Sequence, residues 1–242
     1  MKYVIMFHIA VLPAVLLGLY VWYIDPKKEP FKQLAKAVLW GMAVCLPVAF
    51  IEYGISWLLF RGGEPSSVLG TTANAFLVAA IPEELVKLLA LWLALRKNPY
   101  FDEHYDGVVY AVCVGLGFAV VENIMYVFGS DAWLGVGIAR ALLSVPGHYA
   151  FAVMMGFYYS LYHFVDRSKL TAVCIVLVPV IAHGIYDAIV MSFHVIHPAI
   201  AVLGFFILIY FCIKMQHVAI TKIRALIEKD KKAERNEEPP VM

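Results

Sequence analysis

The sequence predicts an all-α polytopic membrane protein: a bundle of about seven transmembrane helices, N-terminus outside and C-terminus in the cytoplasm. Three observations predict it. Hydrophobic residues make up 62% of the 242-residue chain and charged residues only 15%, against about 45–50% and about 25% in soluble domains. The mean hydropathy is +0.79. The apolar residues also fall into runs of about the 20 residues that carry a helix across a bilayer core. These figures exclude a disordered chain, a disulfide-stapled secreted scaffold and a nucleic-acid-binding arm.

Seven runs qualify in order: 4–23, 36–60, 74–95, 107–128, 135–163, 170–193 and 198–216. The first is too long for a secretory signal and lacks a small-residue cleavage site, so it reads as an uncleaved anchor. The fifth is overlong, which predicts a tilted or partly interfacial outer end. Residues 1–216 form the membrane domain and 217–242 a charged cytoplasmic tail. In that tail Ile220, Ile223, Leu226 and Ile227 share one helical face. This predicts a basic helix on the inner membrane surface, or a solvated one. Cys45, Cys113, Cys174 and Cys212 lie inside spans without metal-type pairing, so no disulfides are expected.

Charge orients the bundle, because cytoplasmic loops collect Lys and Arg. Counting alternate loops and the tail places fifteen cations on one side, while the other holds only Lys2 and Arg61. The expected location is therefore the cytoplasmic (inner) membrane, multi-pass, with the lipid bilayer as solvent and no nucleic-acid partner.

The remaining cations, Lys87 and Arg140, lie inside spans with Glu52, Glu83, Glu84, Glu122, His148, His183 and Asp187. An ionisable side chain at bilayer depth costs about 2.5–3.5 kcal/mol on insertion scales, so each is read first as functional. Five acids against two permanent cations leave a charge excess that a purely structural ion-pair network would not carry. At about 1.5 Å per residue, most of these groups fall in one slab in the outer half of the membrane.

Four motifs supply them. In the third span, Pro82-Glu83-Glu84-Leu85-Val86-Lys87 sets Glu83 and Lys87 at i,i+4, and Glu84 at i,i+3 to the same lysine. Pro82 frees the carbonyl of Val78 and bends the helix there. In the fourth, Gly115 and Gly117 allow close helix approach before Glu122-Asn123. In the fifth, Arg140, Ser144 and His148 recur every four residues, with Pro146-Gly147 loosening the helix. Arg140 is a natural partner for Glu122 or Asp187. In the sixth, His183 and Asp187 share a face, so Asp187 either orients the imidazole or joins it in holding a metal. Glu52 has an even claim to the site, and His8 reads as a packing residue.

The order Glu83-Glu84-x-x-Lys87, Phe118-x-x-x-Glu122-Asn123, His148 and His183-x-x-x-Asp187 resembles the PrsW family of bacterial membrane proteases. That family belongs to the superfamily of CAAX prenyl proteases and bacteriocin-processing proteases. The approach to Glu122, Asp106-Gly107-x-x-Tyr110 and then Gly115-x-Gly117, is similar to the family too. The resemblance implies a glutamic-type intramembrane peptidase with Glu83 as main catalytic glutamate, Glu84 as its partner, and His148 and His183 as site histidines. It also implies a membrane-anchored protein substrate, such as an anti-sigma factor, cut near the extracytoplasmic side. Glu122 departs from superfamily relatives that carry histidine in the Phe-x-x-x-His pattern.

Hydrolysis needs an activated water, a stabilised oxyanion and a proton for the leaving amine. Glu83 is expected to take the water proton, helped by Glu84 or His148. His183, oriented by Asp187, would donate towards the oxyanion, while Lys87 and Arg140 hold the cluster together. No cofactor is expected, the alternative being a divalent metal such as zinc held by Glu83, His148 and His183. A His-Glu-x-x-His helix is absent from the sequence. A proton- or cation-coupled transporter and a catalytically silent scaffold are the competing classes.

Overall fold

The computed structural model describes residues 1–237. Its helices are α1 (Lys2–Ile24), α2 (Phe31–Phe60), α3 (Val68–Ala73), α4 (Ile81–Leu95), α5 (Asp106–Phe128), α6 (Trp133–Ala139), α7 (Val145–Phe164), α8 (Lys169–Ser192) and α9 (Pro198–Glu237). No strand occurs among the described residues. Two π-helical turns, Asn74–Ala80 and Arg140–Ser144, join α3 to α4 and α6 to α7, so the helices make seven rods. Six rods are long and apolar enough to cross a membrane. The other, α3 to α4, carries the three charges of the Glu83-Glu84-Lys87 motif.

Each π-turn ends two residues before a proline, Pro82 or Pro146. Proline cannot donate to the carbonyl four residues back, and its ring crowds that carbonyl. The preceding turn widens to the i→i+5 pattern, which recurs at functional sites. The bend expected at Pro82 and the loosening expected at Pro146 thus take the same form. The overlong fifth span resolves into α6, the second π-turn and α7.

The rod α5 lies at the centre, with Asp106 to Val112 and Val114 to Ala119 buried. Glycines let its backbone touch its neighbours. A methyl group on Gly117 would collide with the carbonyl of Val38 on α2, and one on Gly156 of α7 with the carbonyl of Gly107. This close packing brings Glu122 on α5 against α7 and the second π-turn.

The segment after residue 216 differs from the expected surface helix. It continues α9 without a break, and Met215, Ala219, Ile223 and Leu226 are buried against the bundle. An apolar stripe reads alike whether its partner is lipid or protein, and here the partner is protein. Asp230 fastens it: its carboxylate accepts from the backbone N–H groups of His104 and Tyr105, each at 2.9 Å, and lies 2.6 Å from His104 Nδ1. Of the tail, residues 238–242 lie outside the described residues.

Around this contact, at the end of the bundle rich in Lys and Arg, buried acids collect. Glu29 accepts from the Tyr110 hydroxyl, and Asp106 Oδ2 accepts from the backbone N–H groups of Asp102 and Glu103. Asp106 and Tyr110 of the Asp-Gly-x-x-Tyr motif therefore build this end of the fold. Desolvation by burial pushes the carboxyl of Asp25 up to about 6 and those of Glu29 and Glu103 up to about 7.

Candidate active site

The third, fourth, fifth and sixth spans deliver their ionisable groups to one place. On α4, Lys87 Nζ donates to Glu83 Oε2 at 2.7 Å and to Glu84 Oε1 at 2.9 Å. The helical spacing makes this possible, because one ammonium reaches back over a single turn to both carboxylates. Lys87 also lies 4.2 Å from the centre of the Phe118 ring, so its charge meets an aromatic face as well.

His148 on α7 joins this cluster to a second one. Its Nδ1 is 3.3 Å from Lys87 Nζ, and its Nε2 is 2.8 Å from Glu122 Oε2. An ammonium only donates, so Nδ1 accepts and Nε2–H faces Glu122. Arg140 pairs with Glu122 at 2.8 Å and donates from Nε to Asn123 Oδ1 at 2.7 Å. The Asn123 amide in turn donates to the carbonyl of Ala10 on α1. Of the two partners open to Arg140, the fold selects Glu122.

His183 on α8 is held from both sides, with Nδ1 2.9 Å from Glu84 Oε1 and Nε2 3.2 Å from Asp187 Oδ2. The ring of Phe151 stacks on it at 4.7 Å between centroids. The expected orienting contact from Asp187 is present, and Glu84 supplies a second one.

Beside these groups is a cavity of about 480 Å³. Glu83, Glu122, Arg140 and Asp187 line it, and so do Glu52, which has an even claim to the site from sequence, and two further residues, Ser144 and Tyr186. The hydroxyls of Ser144 and Tyr186 are 3.0 Å apart. Ser144 was legible through its spacing from Arg140 and His148, whereas Tyr186 carries no charge to flag it. His8 lies elsewhere, exposed, with Nδ1 bonded to the carbonyl of Val4.

Glu83, Glu84 and His183 each offer one ligand atom, all within 4.8 Å of one another. Two carboxylates and an imidazole suit zinc. Glu84 Oε2 is buried and has no hydrogen-bond partner, which leaves an acceptor for a cation. The residues therefore fit a divalent ion, with Glu84 in the place expected of His148. An ion there would share the carboxylates with Lys87.

The comparisons with known proteins agree with one another. A family model described as PrsW family intramembrane metalloprotease matches residues 29–213. The chain is 35% identical over 184 residues to Protease PrsW of Geobacillus kaustophilus (strain HTA426), covering 75% of this chain and 78% of the relative. To Protease PrsW of Clostridioides difficile (strain 630) it is 34% identical over 195 residues, 77% of this chain and 79% of the relative. To Protease PrsW of Bacillus subtilis (strain 168) it is 33% identical over 166 residues, 68% and 72% of the two chains. No solved structure matches the chain. These matches cover most of the sequence, and every element that carries the ionisable cluster falls within the family match. The chain belongs to the PrsW family of intramembrane metalloproteases and is a membrane-embedded peptidase.

Proposed function

We propose that this peptidase hydrolyses a peptide bond of a single-span, membrane-anchored protein, with Glu83 as the base that takes a proton from water. The observation that carries this reading is the position of Glu83, which is paired with Lys87 on one side and lines the cavity on the other. The lysine engages Oε2 of this carboxylate, and the side chain borders the cavity from which a water would come. Glu84 is its partner through the shared lysine, and His148 links that lysine to Glu122. His183, held between Glu84 and Asp187, gives the proton to the leaving amine. The hydroxyls of Tyr186 and Ser144 and the guanidinium of Arg140 are the donors for the developing oxyanion. In the alternative in which Glu83, Glu84 and His183 hold a divalent ion, these three side chains would be its ligands rather than base and proton donor, and the ion when bound would supply Lewis-acid polarisation of the scissile carbonyl.

The excess of Lys and Arg at one end supports a cytoplasmic position for that end, an extracytoplasmic N-terminus and residence in the inner membrane. With the cluster in the other half of the bundle, the cut falls near the extracytoplasmic side. An anti-sigma factor is the substrate class that the resemblance implies. Incubating the purified protein with single-span candidates, and mapping products by mass spectrometry, tests the reading. A single cut near the extracytoplasmic end of the substrate span is expected, and cuts confined to soluble segments would overturn it. Loss of cleavage with chelator and recovery with zinc would show that a metal is required, and loss of zinc binding in Glu84→Gln and His183→Ala protein would place it at the trio. Cleavage that survives chelation would leave the glutamate to act alone.

A further inference from the structure

A second cavity, of about 570 Å³, lies apart from the candidate active site, towards the end of the bundle rich in Lys and Arg. It is a groove between α1 and α2, with Ala14, Gly18 and Trp22 on one wall, Leu34 and Val38 on the other, and Leu116 of α5 as floor. Among the described residues no charged side chain lines it. The groove exists because α1 and α2 each pack on α5 and make little contact with each other. Glycine holds α2 against the floor, since a methyl group on Gly41 would collide with the carbonyl of Val114. On the α1 wall, a methyl group on Gly18 would meet only Leu116 Cδ1 at 3.8 Å, an ordinary contact that leaves room. Cations gather at the inner mouth. Lys28 Nζ stands 5.2 Å from the centre of the Trp22 ring and donates to the carbonyls of Trp22 and Tyr23 at the end of α1. Lys32 and Lys36 are exposed and directly follow Phe31 and Ala35, which also line the groove. Lys27 is taken by Asp102, whereas Lys28, Lys32 and Lys36 make no salt bridge among the described residues. The nearby acids Asp25 and Glu29 are buried.

We propose that this groove binds an anionic phospholipid, with an acyl chain along the α5 floor and the phosphate against Lys28, Lys32 and Lys36. Bilayer chains are as apolar as the groove, so the apolar walls supply fit and the choice among lipids falls to the cations. Trp22 and Tyr23 sit where aromatic rings meet the headgroup level. The competing occupant is an apolar helix of a single-span protein, which would leave the three cations without a partner. Charge complementarity therefore favours the lipid.

The test titrates the full-length protein in detergent with phosphatidylglycerol and with phosphatidylcholine of the same acyl chains, reading bound lipid by native mass spectrometry. Phosphatidylglycerol should bind about tenfold more tightly or better, and inorganic phosphate should not displace it. Lys32→Gln and Lys36→Gln should each weaken phosphatidylglycerol binding by about fivefold, the scale of one cation near an anionic lipid surface, and leave phosphatidylcholine binding unchanged. Gly18→Leu, which fills the groove, should weaken both lipids. Unfolding temperatures measured without lipid show that these variants fold, and the lysine pair keeps the test decisive should Gly18→Leu fail to do so. Equal binding of the two lipids by the wild type would overturn the proposal. So would a preference for phosphatidylglycerol that survives the double lysine variant or a folded Gly18→Leu protein. A photoreactive side chain in place of Gly18 that captures a single-span protein instead of lipid would give the groove to a helix and overturn it as well.

Discussion

Lys87 on α4 and His148 on α7 meet at 3.3 Å, an ammonium against an imidazole nitrogen. The contact ties the Glu83-Glu84 cluster to the Glu122-Arg140 pair through a single ring, and it fixes which nitrogen of His148 carries the proton. Lys87 thus links both glutamates of its own helix to a histidine from another.

Replacing Lys87 by Met should destabilise the protein by about 3–5 kcal/mol, because it leaves two buried carboxylates without their cation. Activity should fall to background. Thermal unfolding in detergent and a cleavage assay check the two effects together.

Glu122→Gln keeps the shape of the side chain but removes the charge that faces both Arg140 and His148. Loss of an orienting carboxylate behind a histidine costs roughly 10–100-fold in activity. The expected change is a fall of that size in kcat with KM little altered, measured by steady-state cleavage.

The paired prolines give a different kind of prediction. Pro82→Ala restores a backbone donor and lets the π-turn Asn74–Ala80 close towards a regular helix. The variant should gain about 1 kcal/mol from the added hydrogen bond. It should also lose activity on the order of 100-fold, because Glu83 and Glu84 shift against His183 and positioning errors of about 1 Å carry that cost. A variant that is stabler and fully active would contradict the role given to the turn.

Stability should also depend on pH through the acids at the basic end. Burial raises Asp25 to about 6 and Glu29 and Glu103 to about 7, so the folded state keeps protons that the unfolded chain has released. Their contribution is fully present below the unfolded values near 4 and is lost as pH rises through about 6 to 7. Lys27, Lys28, Asp102, His104, Asp106, Tyr110 and Asp230 surround them. The unfolding temperature should fall between pH 5 and pH 8, and Glu29→Gln should flatten that fall. A wild-type unfolding temperature that rises over this range would contradict the assignment.

The fold class and the convergence of the third to sixth spans were legible because ionisable residues stand out in apolar runs and hold fixed helical offsets. The offsets Glu83–Lys87 and His183–Asp187 are contacts within one helix, and sequence spacing suffices for them. Contacts between helices were not fixed in this way. That Glu84 meets His183, that Arg140 chooses Glu122 over Asp187, and that Glu52 faces the cavity all depend on how the rods rotate about their axes. The face of Ile223 and Leu226 was visible, but its burial against the bundle needed a partner surface that no local pattern encodes. Glu29 and Tyr110 likewise meet only because α1, α2 and α5 end together.

The central claim is that Glu83 performs the chemistry, and one comparison tests it most directly. Wild-type and Glu83→Gln protein, purified alike and matched for unfolding temperature, are incubated with the same single-span substrate. The account predicts a mapped product with the wild type and none with the variant. Cleavage at the same bond and a similar rate by Glu83→Gln would contradict it.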